Sequence, residues 1–155
     1  QAFKGSNSAF LSNIVSSGFH MWRFKIVQCR RGGKSSQWSA TVGLWKVRKE
    51  DSDCDNLPLN TYFTNVAASA RSKSYAYAFG MGVLIDARSG NPWSGREYGT
   101  KAKTGDVIEM YCDLDKRHIG FSVNGIDYGI AFENVSAPLR AVINLHDAQD
   151  SVQLL

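Results

Sequence analysis

The sequence predicts an all-β protein, specifically an antiparallel β-sandwich, and three observations carry that prediction. Short runs of alternating apolar and polar residues recur along the chain, separated by clusters of turn-forming residues. No stretch sustains the i, i+3, i+4 apolar spacing of an amphipathic helix. The run from Gly105 to Phe132, GDVIEMYCDLDKRHIGFSVNGIDYGIAF, reads as three strands joined by two tight turns.

Taken in order, residues 1–17 are weakly patterned, with five serines and two asparagines, and predict one strand or a short helical turn around Phe10, Leu11, Ile14 and Val15. Phe19 to Val27 alternates cleanly, with Trp22, Phe24 and Ile26 inward and Arg23 and Lys25 toward solvent. Arg30 to Gln37 is a Gly- and Ser-rich loop. Trp38 to Val47 predicts a second strand with Val42 and Leu44 inward, and Lys49 to Asn60, charged and holding Pro58, a longer loop. Tyr62 to Val66 predicts a short strand. In Ser74 to Gly80, Tyr75, Tyr77 and Phe79 share a face against Ala76 and Ala78, and Met81 to Ile85 reads as a continuation. Asp86 to Gly99 is the richest loop signal in the chain.

In the meander, Ile108, Met110, Cys112 and Leu114 fall on one face and Val107, Glu109, Tyr111 and Asp113 on the other. Asp115 to His118 interrupts it. Ile119, Phe121 and Val123 follow, then Asn124-Gly125, two residues that tolerate the positive φ a type I′ hairpin turn requires. Ile126, Tyr128 and Ile130 resume the alternation. Leu139 to Leu145 and Val152 to Leu155 complete the strands. The core expected from these rows includes Trp22, Phe24, Ile108, Met110, Phe121 and Val123.

The meander resembles the SPRY domain, whose signature runs Gly-Asp-Val-Ile, Leu-Asp-hydrophobic-Asp, a short turn, Phe-Ser, Asn-Gly and Gly-hydrophobic-Ala-Phe. GFHMWRFKI is similar to that family's early Gly-x-His-x-Trp strand, ATVGLW to its Val-Gly strand, and LRAVINL to its late strand, with Ala141 where proline is usual. The resemblance runs from about Gly18 to Leu155. It implies two antiparallel sheets with loops gathered at the ends, and a non-catalytic module that recognises a peptide or protein surface as part of a ubiquitin-ligase substrate receptor or complex adaptor. The paired PRY segment of some relatives is not evident upstream of Gly18.

Composition agrees with one domain over residues 1–155, 1–17 being an N-terminal extension. At 43% hydrophobic the chain can build a core, and its apolar runs fall far short of the roughly 20 residues that cross a bilayer. Three cysteines, Cys29, Cys54 and Cys112, are an odd count without zinc-finger spacing, which argues for a reducing, intracellular setting and against a disulfide framework or structural zinc. Residues 1–49 hold nine Lys or Arg and no acid, whereas residues 50–155 hold nine basic and fourteen acidic residues. A basic half is compatible with a nucleic-acid partner, but its charges sit on the solvent side of a strand and in a turn, where solvated charge is ordinary.

Catalytic patterns are weak. Asp113, Asp115 and Glu109 are the carboxylates a hydrolytic sandwich would use, but tight Glu-x-Asp-x-x-Glu spacing is missing. His20, His118 and His146 are scattered, and GFSVNG is not a nucleophile elbow. The His-x-Asn-x-Arg run of a galectin-like sugar-binding sandwich is missing. The expectation is therefore a binding module without cofactor or metal, and a monomeric domain whose partner is a protein or linear peptide. The resemblance implies a cleft formed by Trp38, Tyr62 or Phe63, and the turn His146-Asp147-Ala148, where some relatives have Val-Trp-Gly. Arg30 and Arg31 would form its basic rim, and Trp93, in the long Gly/Pro loop, is a separate candidate anchor.

Overall fold

The computed structural model describes residues 1–4, 8–29, 40–47, 74–86, 96–145 and 147–155. Among them lie twelve strands and no helix: β1 (Ala2–Lys4), β2 (Ser8–Val15), β3 (Phe19–Gln28), β4 (Thr41–Lys46), β5 (Ser74–Ala78), β6 (Val83–Asp86), β7 (Arg96–Glu97), β8 (Val107–Asp113), β9 (His118–Val123), β10 (Ile126–Glu133), β11 (Leu139–Asn144) and β12 (Ser151–Leu154). They form two six-stranded sheets, ordered β1-β12-β3-β8-β9-β10 and β2-β11-β4-β5-β6-β7. Every described pairing is antiparallel.

The alternation read from the sequence decides what lies between the sheets. Phe24 and Ile26 of β3, Ile108, Met110 and Cys112 of β8, and Ile119, Phe121 and Val123 of β9 face Val42 and Leu44 of β4, Tyr75 and Tyr77 of β5, and Leu139, Ala141 and Ile143 of β11 in one buried cluster. Removing these apolar rows from water is the main driving force of the fold. The second sheet is buried on its other face too, where Trp45, Ala76, Ala78, Val83, Ile85 and Val142 form a separate cluster with Phe10 and Met81 against it. Small side chains suit this doubly covered sheet. A Cβ on Gly43 would stand 2.3 Å from the Tyr75 carbonyl oxygen, so the Val-Gly strand admits only glycine there. The hairpin turn is as expected, with Asn124 at φ 51° and Gly125 at φ 78°.

Four expectations are corrected. Residues 1–17 form two strands, β1 and β2, one at the edge of each sheet. Met81 to Ile85 does not continue β5: the chain turns over residues 79–82 and returns as β6, with Tyr77 opposite Leu84. The Asp86–Gly99 loop contains the two-residue strand β7. Trp22 is half-buried at the core margin. Opposite it, β2 carries two extra residues between its pairings to Arg140 and Val142, and a cleft of about 400 Å³ opens between the sheet edges, lined by Trp22, Leu11, Phe10, Arg140, Gln1 and Leu154.

The opposite edges of the sandwich are closed by Tyr98. It follows β7 of the second sheet, yet its hydroxyl reaches between β9 and β10 of the first. There the β9–β10 ladder shifts register between Asp127 and Ile130. Tyr98 Oη accepts the Phe121 N–H at 3.1 Å and donates to the Gly129 carbonyl at 2.5 Å, occupying the gap the bulge leaves. Its ring packs edge-on against Tyr77, Phe121 and Tyr128. Arg96 of β7 donates to the Ala131 carbonyl, Tyr77 Oη donates to the Thr100 carbonyl at 2.8 Å, and Thr100 and Tyr128 join hydroxyls at 2.6 Å.

These assignments make two predictions. Phe121→Ala, which empties a fully buried site between the sheets, should cost about 3–5 kcal/mol, and Trp22→Ala should fall below that range. Equal losses of melting temperature would contradict the assigned core. Burial also raises the Tyr98 phenol from its ordinary 10 to about 12, raises Tyr77 further in the same direction, and raises the Cys112 thiol from 9 to about 12. All three are neutral when protonated, so the folded state holds these protons more tightly than the unfolded chain. Their stabilisation is complete below about pH 9 and is lost as pH rises toward 12. The melting temperature should fall through that window, less steeply in Tyr98→Phe; a flat profile to pH 11.5 would contradict it.

Candidate functional site

Because consecutive strands run antiparallel, the connections alternate between two ends of the sandwich. At one end Asn144 of β11 sits beside Thr41 of β4 and Ser8 of β2, while Ser151 of β12 sits beside Gln28 of β3 and Lys4 of β1. The β3–β4 connection and the β11–β12 turn therefore emerge together. Cys29, which leads into the former, donates its N–H to Thr104 Oγ1 at 3.0 Å, bringing the β7–β8 connection with exposed Lys101 and Lys103 to this end.

The β11–β12 turn is held by its own aspartates. Asp147 Oδ1 accepts the Gln149 N–H at 2.9 Å, the Asp147 carbonyl accepts the Asp150 N–H at 3.0 Å, and Asp150 Oδ2 accepts the Asp147 N–H at 3.4 Å. Asp150 is buried, Asp147 half-buried, and Ala148 and Gln149 are presented to solvent. Of the expected site residues, Asp147 and its neighbour Ala148 are among those described; Arg30, Arg31, Trp38, Tyr62, Phe63, Trp93 and His146 lie outside them. Their described neighbours give the anchoring. Cys29 and Ala40, flanking the segment with Arg30, Arg31 and Trp38, are at the Asp147 end. Val47 and Ser74, flanking the segment with Tyr62 and Phe63, are at the opposite end, since Lys46 pairs with Leu139 and Ser74 with Trp45. The segment holding Trp93 also leaves from that opposite end, after Asp86 opposite Tyr75.

The SPRY-domain family model matches residues 19–155. The chain belongs to the SPRY domain family. The crystal structure of the SPRY domain of human HERC1 is similar over 97% of this chain and 82% of its own, with TM-score 0.67 and 24% identity. A crystal structure of a human SPRY domain is similar over 95% of this chain and 82% of its own, with TM-score 0.64 and 20% identity. At these identities the two structures speak to the fold. No curated protein matches the chain.

SPRY domains are generally protein–protein interaction modules, and the signature residues of this one are architectural. Asp106 accepts the Lys103 N–H at 2.8 Å and the Asn124 side-chain amide at 2.9 Å, and Asn124 Oδ1 accepts the Val107 N–H at 2.9 Å. The Gly-Asp-Val and Asn-Gly motifs thus clasp each other. His20 Nε2 donates to the Ser17 carbonyl at 2.7 Å, and its ring stacks on Trp22.

The three carboxylates weighed as a hydrolytic set are likewise engaged. Glu109 pairs with Arg23 at 3.1 Å and accepts the Ser122 hydroxyl at 2.7 Å. Asp113 accepts the Lys116 N–H at 2.9 Å, with the Lys116 ammonium at 3.3 Å; that N–H first, and then the ammonium, hold its carboxyl below the usual range. Asp115 falls in the turn after β8 and accepts the Gly18 N–H at 3.3 Å. Among the described residues no group of three or more His, Cys, Asp or Glu is placed to hold a metal ion.

Proposed function

We propose that this SPRY domain is a non-catalytic recognition module that reads a peptide or protein surface through the end carrying the β3–β4 connection and the β11–β12 turn, within a larger intracellular protein of the substrate-receptor or adaptor kind. The observation that carries the reading is the self-bonded β11–β12 turn set beside the two strand ends that lead to Arg30, Arg31 and Trp38. A pre-ordered turn on a rigid sandwich loses little conformational freedom on binding, and aromatic and arginine side chains are the types that most often dominate interface energy. Exposed Lys101 and Lys103 add positive charge at this end, and a basic rim completed by Arg30 and Arg31 would speed encounter with an acidic ligand. The odd cysteine count, with Cys112 fully buried, supports a reducing compartment, cytoplasmic or nuclear.

The test is a nuclease-treated pull-down from lysate, followed by affinity measurement on the captured protein. Trp38→Ala and Asp147→Asn should each weaken binding by about 1–2 kcal/mol. Asparagine is the cleaner probe at 147 because it keeps the acceptor for the Gln149 N–H while removing the charge. Arg30→Ala should act through a salt-sensitive association rate. Recovery of the same partners at full strength by the Trp38→Ala/Asp147→Asn double variant would overturn this choice of surface. Capture abolished by nuclease would favour a nucleic-acid partner instead.

A further inference from the structure

The two sheets differ in how their outer faces are treated. That of the second is buried over β4, β5, β6 and β11, whereas that of the first carries an apolar band in the open. The registers lay this face out in rows. Met21 of β3 is opposite Tyr111 of β8, Tyr111 opposite Gly120 of β9, and Gly120 opposite Ile130 of β10. At about 4.8 Å between strands this row spans roughly 14 Å. Phe19, two residues before Met21 on the same face of β3, stacks on Tyr111 with ring centroids 6.3 Å apart. Phe19 is 58% exposed, Met21 51% and Ile130 49%.

The band is flat by construction. Tyr111 lies down over Gly120, so that a Cβ there would come within 2.1 Å of the phenol oxygen. Its hydroxyl donates to Asp127 Oδ1 at 3.3 Å. A large aromatic ring pinned flat between two exposed aliphatic side chains is a surface made for contact, and contiguous exposed apolar patches of this kind mark interaction sites.

The flanking charges say what fits. Arg23 is matched by Glu109, and Lys116 by Asp113. Asp115, beside Phe19, accepts only the Gly18 N–H, and Asp127, beside Ile130, accepts the Gly129 N–H and the Tyr111 hydroxyl. These donors are neutral, and both carboxylates are exposed, so their negative charge is left facing solvent at two margins of the band. Lys25 lies a further row away, beyond Arg23.

We propose that this face is a second docking surface, separate from the loop end, for a polypeptide segment that sets apolar side chains on the Phe19–Met21–Tyr111–Ile130 band and lysines or arginines against Asp115 and Asp127. Such a segment gains apolar burial across the band and opposite charge at its margins. An anionic surface would meet the two carboxylates and be repelled.

The probe is a phage-displayed library of random 12-residue peptides, selected on the immobilised domain and counter-selected on a Phe19→Ser/Ile130→Ser variant. Both replaced side chains are solvent-exposed, and thermal melting checks that the variant folds. Asp115→Asn/Asp127→Asn, which keeps the acceptors, is a second variant independent of the apolar change. The expected result is enrichment of peptides that combine apolar residues with Lys or Arg. Their affinity should fall at least tenfold on the Ser variant, and severalfold with loss of salt dependence on the Asn variant. Failure to enrich any peptide, enrichment of acidic or uncharged peptides, or equal binding by both variants would overturn the proposal. Sedimentation showing that the wild-type domain dimerises, and that the Ser variant does not, would overturn it too, by assigning the face to a second copy of the chain.

Discussion

One hydroxyl joins the two sheets where the β9–β10 ladder leaves a gap. β10 bulges away from β9, which strips the Phe121 N–H and the Gly129 carbonyl of their ladder partners in a half-buried place. A buried donor without an acceptor costs about 1–3 kcal/mol. Tyr98 supplies an acceptor to one and a donor to the other, and because it comes from the chain just after β7, the same contact ties the edge of the second sheet to the edge of the first. Tyr77 and Phe121, with ring centroids 5.2 Å apart, pack directly beneath. Burial of the inward rows drives the sheets together, while this contact fixes how they meet at the β7–β10 side.

At the opposite side the sheets meet less completely. β2 bulges, Trp22 is left half-buried, and Arg140 bridges the rim, donating to the Leu11 carbonyl at 2.5 Å with its guanidinium 5.6 Å above the Phe10 ring. The sandwich is thus a frame with one riveted margin and one open one. Its connections gather at two ends, away from the core: residues in the end turns can change without disturbing the inward rows. The signature motifs fall on the stability side. Gly105, Asp106, Asn124 and Gly125 hold one end of the meander together, and Gly18, Asp113 and Asp115 the other. They identify the family without naming a ligand.

Much of the frame was legible in the sequence because period-two alternation reports which face a side chain takes. Phe24, Ile108, Met110, Phe121 and Val123 are buried as their parity demands, and Arg23 and Lys25 are exposed. Parity says nothing about what stands opposite, which is why Trp22 proved half-buried: the β2 bulge lies far away in sequence. Nor does it mark a reversal inside an apolar stretch, so the turn at residues 79–82 passed for a continuation of β5. The Ser- and Asn-rich β1 and β2 lack the contrast that makes a strand visible. Tyr98 gave no local signal at all, since its partners are 23 and 31 residues away. The same parity that turns Trp22 and Phe24 inward puts Phe19 and Met21 outside; that they form a band with Tyr111 and Ile130 requires the cross-strand register. Of the proposed recognition end, the sequence supplied residue types, and the registers supplied the end to which each segment is anchored.

The central claim is that the Tyr98 hydroxyl completes the interrupted β9–β10 ladder. Native-state hydrogen exchange at the Phe121 amide, read residue by residue by NMR, tests it most directly. The account predicts that this amide is protected to the level of Met110 in the middle of the sheet, exchanging only on global unfolding, and that in Tyr98→Phe it loses that protection while Met110 keeps its own relative to global stability. A Phe121 amide that exchanges in the wild-type protein as fast as that of Gly125 in the exposed hairpin turn would contradict it.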